Sequence, residues 1–69
     1  MNLKNQKFKL INPSNLLTGQ FIMLHNNLVR FYHILELDEY RYYIIYHYND
    51  TIHKYIIHKN NPLKLLINA

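Results

Sequence analysis

Five histidines, His25, His33, His47, His53 and His58, and four carboxylates, Glu36, Asp38, Glu39 and Asp50, are the side chains of this sequence suited to holding a metal or moving a proton. A zinc site needs three or four nitrogen, sulfur or carboxylate ligands that converge from closely spaced positions. No carboxylate accompanies the histidines at such a spacing, and there is no cysteine. With the strands paired as set out below, His33 and His53 share a sheet face but have a whole strand between them, too far apart for direct joint ligation without help from a Tyr or another chain. The histidines are therefore expected to be hydrogen-bonded or exposed, with no metal ligands among them. They still make surface charge sensitive to pH between about 5 and 7.

General acid/base catalysis needs a carboxylate or histidine in a cleft that perturbs its pKa. Three of the four acids fall in or beside turns, and Glu36 has Arg41 as a partner on the trial register. Ser14, the only serine, lies next to Pro13 with no base near it in sequence, which leaves nucleophilic catalysis without support. One glycine, Gly19, is too few for a phosphate-cradling loop. No catalytic residue and no cofactor is expected, and the chain reads as non-enzymatic.

The elements that position these side chains centre on Leu28 to Lys59, LVRFYHILELDEYRYYIIYHYNDTIHKYIIHK. Asp38-Glu39 and Asn49-Asp50 are short polar pairs between runs rich in Tyr, Ile, Phe and Val, the signal for hairpin turns. Three consecutive antiparallel strands are expected. Two-residue turns place Glu36 opposite Arg41, Leu35 opposite Tyr42, Tyr46 opposite His53 and Ile44 opposite Tyr55. Neither pair contains the glycine that a type I′ turn favours, so a longer loop with a bulge is the alternative at either turn.

Side chains alternate between the two faces of a strand. On the trial register, Val29, Phe31, His33, Leu35, Leu37, Tyr40, Tyr42, Ile44, Tyr46, Tyr48, His53, Tyr55 and Ile57 belong to the core face. The second face gathers Arg30, Tyr32, Ile34, Glu36, Arg41, Tyr43, Ile45, His47, Ile52, Lys54, Ile56 and His58. A sheet with one wetted face alternates apolar and polar residues cleanly, and this second face does not. Its apolar group, Tyr32, Ile34, Tyr43, Ile45 and Ile56, has to be covered by the chain's own terminal strands or by a partner.

At 69 residues the chain is a single domain with a small core. No apolar run approaches the 18 or so residues of a membrane helix, and MNLKNQKFKL lacks the apolar core of a secretory signal. The lack of cysteine fits a reducing, intracellular compartment. The formal charge of +4 invites a nucleic-acid reading. Ten Asn, nine Ile, six Lys and seven Tyr make up 32 of the residues, however, and A/T-rich codons encode all four types. Codon bias of that kind raises Lys without any selection for a basic surface.

Residues 1 to 6 carry no pattern and are expected to be loose, as are the last two. Lys7 to Ile11 reads as a first strand and Asn12 to Asn15 as a turn or loop, the alternative being a brief helical turn through Asn15, Leu16 and Leu17 capped by Ser14. Gln20 to His25 is a second strand and Asn26-Asn27 a turn. After the central strands come a turn at Asn60 to Leu63, read as at most one turn of 3-10 helix, and a last strand from Lys64 to Ile67. The sum is all-β: a small, partly open barrel of five or six strands with at most one short helical turn.

The tail, YYIIYHY, ND, TIHKYIIHK, NNPL, KLLI, resembles the end of SH3-like barrels, where a tight turn, an aromatic strand and a short helical turn lead to a last strand. Small SH3-like accessory subunits of electron-transfer complexes end this way. Ile22, Leu24, Asn26, Ile34 and Asp38, with Lys54 and Ile57, are similar in placement to the two motifs of Sm-like RNA-binding proteins. In that family glycines stand at the positions of Asn27 and Tyr32, and a histidine at that of Tyr55. The resemblance implies a small SH3-like or Sm-like barrel that binds protein or RNA.

The binding face expected from these readings comprises Arg30, Tyr32, Arg41 and Tyr43, with Ile45, Lys54, Ile56 and His58. Its occupant is expected to be a protein partner or a second copy of the chain, as in an accessory subunit or an inhibitor of a host protein. The alternative is RNA or DNA, whose bases stack on tyrosines interspersed with Arg and Lys.

Overall fold

In the computed structural model, which describes residues 6 to 67, alternation of apolar and polar side chains has produced six strands and one 3-10 turn. The strands are β1 (Phe8–Ile11), β2 (Phe21–Leu24), β3 (Asn27–Glu36), β4 (Arg41–Tyr48), β5 (Thr51–His58) and β6 (Leu63–Leu66). All pairings are antiparallel, in the order β1-β6-β2-β3-β4-β5. Strands β1 and β5 are the two edges and do not pair with each other, so the sheet is not closed.

The sheet curls around one face. Ile22 and Leu24 of β2, Val29 and Phe31 of β3, Ile44, Ile57, and Leu63 and Leu65 of β6 bury their side chains together, with Leu16 joining from the loop after β1. Tyr42, Tyr46, Tyr48 and Tyr55 pack half-buried against this cluster, ring inward, which suits their amphipathic side chains. Pro13, at the start of the 3-10 turn Pro13–Asn15, is buried too. Asn12, extended as a residue before proline must be, precedes that turn without a side-chain cap, so Ser14 does not serve as one.

Two hairpins close on two-residue turns with both residues left-handed: His25 and Asn26 (φ 51° and 65°), and Asn49 and Asp50 (φ 51° and 61°). Positive φ at both positions is the type I′ geometry, whose twist matches that of the flanking strands. Asn, Asp and His tolerate it better than other side chains, so glycine is dispensed with. The turn after β2 lies one residue earlier than the sequence suggested, and Asn27 instead opens β3, accepting a hydrogen bond from the Tyr48 hydroxyl (3.2 Å). The second central hairpin keeps the trial register throughout, with Tyr46 opposite His53 and Ile44 opposite Tyr55.

The first central hairpin departs from it. Leu37 to Tyr40 form a four-residue loop, not a two-residue turn, because Asp38 caps it. Its Oδ1 accepts the backbone N–H groups of Tyr40 (2.9 Å) and Arg41 (2.8 Å), while the Leu37 N–H reaches the Arg41 carbonyl (3.0 Å). The pairing then runs Glu36 to Tyr42, Leu35 to Tyr43, Ile34 to Ile44 and His33 to Ile45, one residue off the expected register. A bulge at Tyr32 absorbs the difference, and beyond it Phe31 meets Tyr46 and Arg30 meets His47, as the trial register had them.

The other boundaries differ by one or two residues, and the turn expected at Asn60 to Leu63 falls instead on Lys59 and Asn60, closed by the Asn61 N–H on the His58 carbonyl, without 3-10 structure. The looseness expected of residues 1 to 6 and of the last two concerns positions outside the described residues, except Gln6, which is half-buried. Strands β1 and β6 extend the sheet past β2 and leave the outer face of β3, β4 and β5 open, so closure does not cover it.

Two substitutions test these contacts. Ile44, fully buried at the centre of the sheet, should cost about 2–5 kcal/mol when cut to Ala, enough to unfold much of so small a domain in a urea titration. Asp50→Gly, which relieves the left-handed φ, should raise stability by up to about 1 kcal/mol in the same titration. A loss there would contradict the type I′ assignment.

Candidate functional site

All eight side chains expected to form the binding face lie on the outer face of β3, β4 and β5. Cross-strand pairing sets Arg30 beside His47, Tyr43 beside Ile56, Ile45 beside Lys54 and Arg41 beside His58. Tyr32, in the bulge, turns its ring edge-on to His47 at 5.3 Å. The bulged segment is tied down from the side of β2: the Thr18 hydroxyl donates to the Tyr32 carbonyl (2.7 Å), and the Gly19 N–H to the Phe31 carbonyl (2.8 Å). Gly19 itself sits at φ 96°, which a side chain would resist.

The bulge also changes the membership of the face. Ile34 was expected on it and instead packs against the core opposite Ile44, while His33 and Leu35, expected inside, point out. Leu35 is 47 % exposed and takes the place assigned to Ile34. With Tyr32 (49 %), Ile52 (61 %) and Ile56 (46 %), it surrounds the half-buried Tyr43 and Ile45, giving a contiguous apolar patch across three strands. Leu35 could not be found from the period-two pattern alone, because one extra residue inverts it. The signal lay in Asp38 and Arg41, whose spacing suits an acidic cap of a longer loop.

The basic groups of the face are mostly engaged. Arg41 does not pair with Glu36 but forks onto Asp38 Oδ2, through Nε at 2.9 Å and Nη2 at 2.6 Å. On the core side of the sheet, beside the Tyr42 ring, Glu36 receives Lys59 Nζ at 2.8 Å. Lys54 holds its ammonium 5.2 Å from the centre of the Tyr43 ring, and Lys59 lies 5.0 Å from that of Tyr42, both cation–π distances. The Arg30 guanidinium has no ion-pair or hydrogen-bond partner among the described residues. It lines an open cleft of about 660 Å³ with Gly19, Phe21, Tyr32 and His47.

Each histidine rests on a tyrosine ring. His25 meets Tyr55 edge-on at 4.9 Å, His53 stacks on Tyr46 at 5.4 Å, His58 stacks on Tyr40 at 6.5 Å, and His33 lies 6.3 Å from Tyr32, beside the His47 contact already described. His33 and His53 occupy opposite faces, contrary to the trial register, since the bulge turns His33 outward. His53 Nε2 is 2.7 Å from the Thr51 hydroxyl, and His58 Nδ1 accepts the Asn60 N–H (3.1 Å). Among the described residues no three His, Cys, Asp or Glu side chains converge as metal ligands.

No protein-family model, curated protein or solved structure gives a significant match to the chain.

The clearest electrostatic feature is the cap. The Arg41 guanidinium, and then the Tyr40 and Arg41 N–H groups, hold the Asp38 carboxyl below its ordinary 3.8. A carboxyl depressed in the folded state adds stability above its unfolded pKa and loses it as pH falls through the folded value. Wild-type stability is thus expected to fall on acidification below about pH 4, and Asp38→Asn to be less stable at neutral pH yet flatter across that range in pH-dependent thermal melts. An unchanged acid slope in the variant would contradict the cap.

Proposed function

We propose that the chain is a non-enzymatic interaction module that docks a protein partner on the outer face of β3, β4 and β5. The observation that carries the reading is the exposed patch of Tyr32, Leu35, Ile52 and Ile56 around Tyr43 and Ile45, on a sheet whose other face already holds the core. Tyrosine and arginine are the residues that anchor protein interfaces, and Arg30 and Lys54 supply a basic rim. The role is that of an accessory subunit of a larger complex, or an inhibitor of a host protein, working inside a cell. The architecture is taken as a small SH3-like barrel left open between β1 and β5, a reading supported by Ile57 and Leu65 sharing one core from distant places in the sheet.

Single-stranded RNA or DNA is the second reading, and the free Arg30 guanidinium beside Tyr32 and His47 favours it. It demands affinity that falls steeply with salt, since phosphate contacts release counterions. The engagement of Arg41 by Asp38 and of Lys54 by Tyr43 leaves that reading fewer free cations than the formal charge suggests.

The two part in one experiment: capture of host proteins on immobilised chain, with and without nuclease, by wild type and by the double variant Leu35→Glu/Ile45→Glu. Wild type should retain a protein after nuclease treatment, and the variant, with an unchanged circular dichroism spectrum, should bind that protein about tenfold or more weakly. Equal retention by both would remove the face from the interaction, and loss of the captured protein on nuclease treatment would favour nucleic acid.

A further inference from the structure

We infer that two copies of the chain pair antiparallel through β5, edge to edge about a twofold axis at Tyr55, joining their sheets into one. The proposal concerns the edge of the sheet and does not depend on what docks on its face.

The two-residue turn Asn49-Asp50 makes Tyr48 and Thr51 a hydrogen-bonded pair, and antiparallel ladders alternate from there. Thr51, His53, Tyr55 and Ile57 therefore aim their backbone groups at β4. Ile52, Lys54, Ile56 and His58 aim theirs outward. Among the described residues nothing meets the outward groups of Ile52, Lys54 or Ile56, and the His58 carbonyl accepts only the Asn61 N–H at 3.0 Å.

Exposed edges are usually blunted by brevity, proline, bulges or outstretched lysine. Strand β1 has two of these: it is four residues long, carries Lys9, and follows Lys7. Strand β5 has eight residues, no proline and an unbroken register. Its one lysine, Lys54, is drawn back over Tyr43 of its own sheet and does not guard the edge.

Charge selects both the occupant and the register. Pairing β5 with β1 of another copy would use only four residues, set Lys9 and Lys7 among Lys54 and the histidines, and propagate without closing. Pairing β5 with β5 closes at two. Centred on Lys54 it opposes lysine to lysine; centred on Ile56 it opposes Lys54 to His58. Centred on Tyr55 it sets Lys54 against Ile56 and Ile52 against His58, with no like charges opposed and about six backbone hydrogen bonds across the seam. The exposed Ile52 and Ile56 of each copy then lie diagonally across the seam from those of the other, behind the direct Lys54–Ile56 and Ile52–His58 pairs, and the two outer apolar patches adjoin.

The test is sedimentation velocity of the whole chain from low micromolar to submillimolar concentration, at low salt. Wild type should pass from one mass to twice that mass and no further. Ile56→Lys, which faces Lys54 of the other copy, should move the midpoint about tenfold or more to higher concentration, the twofold axis counting each substitution twice. Ile56→Glu should leave it unchanged or lower it, since glutamate meets that same lysine. A single mass at every concentration overturns the proposal, as does a ladder of larger species. A dimer that Lys and Glu weaken alike overturns it too, because that is the signature of an apolar contact or of Ile56 facing itself.

Discussion

Strand β3 carries one residue more than its partner needs, and the surface of this protein depends on where that residue sits. With the extra residue placed at Tyr32, Val29 and Phe31 on one side of it and Ile34 on the other all reach the core, while Arg30, His33 and Leu35 face out. Without it, the half of the strand beyond Phe31 would invert, sending Ile34 to the surface and His33 inward. The Asp38 cap and the bulge are two ends of one adjustment: the longer loop shifts the register by one residue and the bulge shifts it back. The Thr18 and Gly19 contacts satisfy backbone carbonyls of the bulged segment, which an interrupted ladder would otherwise leave to water.

Much of the architecture was legible in the sequence because it rests on period-two patterning. The six strands, the Asn49-Asp50 turn and the whole β4–β5 register follow from the spacing of Tyr and Ile around short polar pairs. Position along a strand was less legible where a side chain, not the pattern, set the turn. Asp38 can cap a four-residue loop or occupy a two-residue turn, and only its hydrogen bonds to Tyr40 and Arg41 decide between them. His25 at positive φ shifted the first turn by one residue for a similar reason: His tolerates that geometry nearly as Asn does, and its ring finds Tyr55. Closure of the sheet was not legible at all, since it depends on curvature summed over six strands.

The outer face combines an apolar centre with cations that are mostly occupied. Arg41 and Lys54 are spent on a turn and a tyrosine ring, while Lys59 pairs with Glu36 over Tyr42 on the other side of the sheet, which leaves the Arg30 guanidinium as the free charge beside the patch. Such a surface presents apolar area with charge at one corner, and the formal charge of the sequence overstates how basic it is. The tyrosines serve both faces: Tyr42, Tyr46, Tyr48 and Tyr55 widen a core that the buried aliphatic side chains and Phe31 alone would leave thin, and Tyr32 and Tyr43 add aromatic area to the outer face.

Which residues of β3 meet water is the point on which the account stands, and methyl NMR with a soluble paramagnetic agent reads it directly. The Leu35, Ile52 and Ile56 methyl signals should broaden strongly, and those of Ile34, Ile44 and Ile57 should persist. An exposed Ile34 beside a protected Leu35 would place β3 in the unbulged register and contradict the face described here.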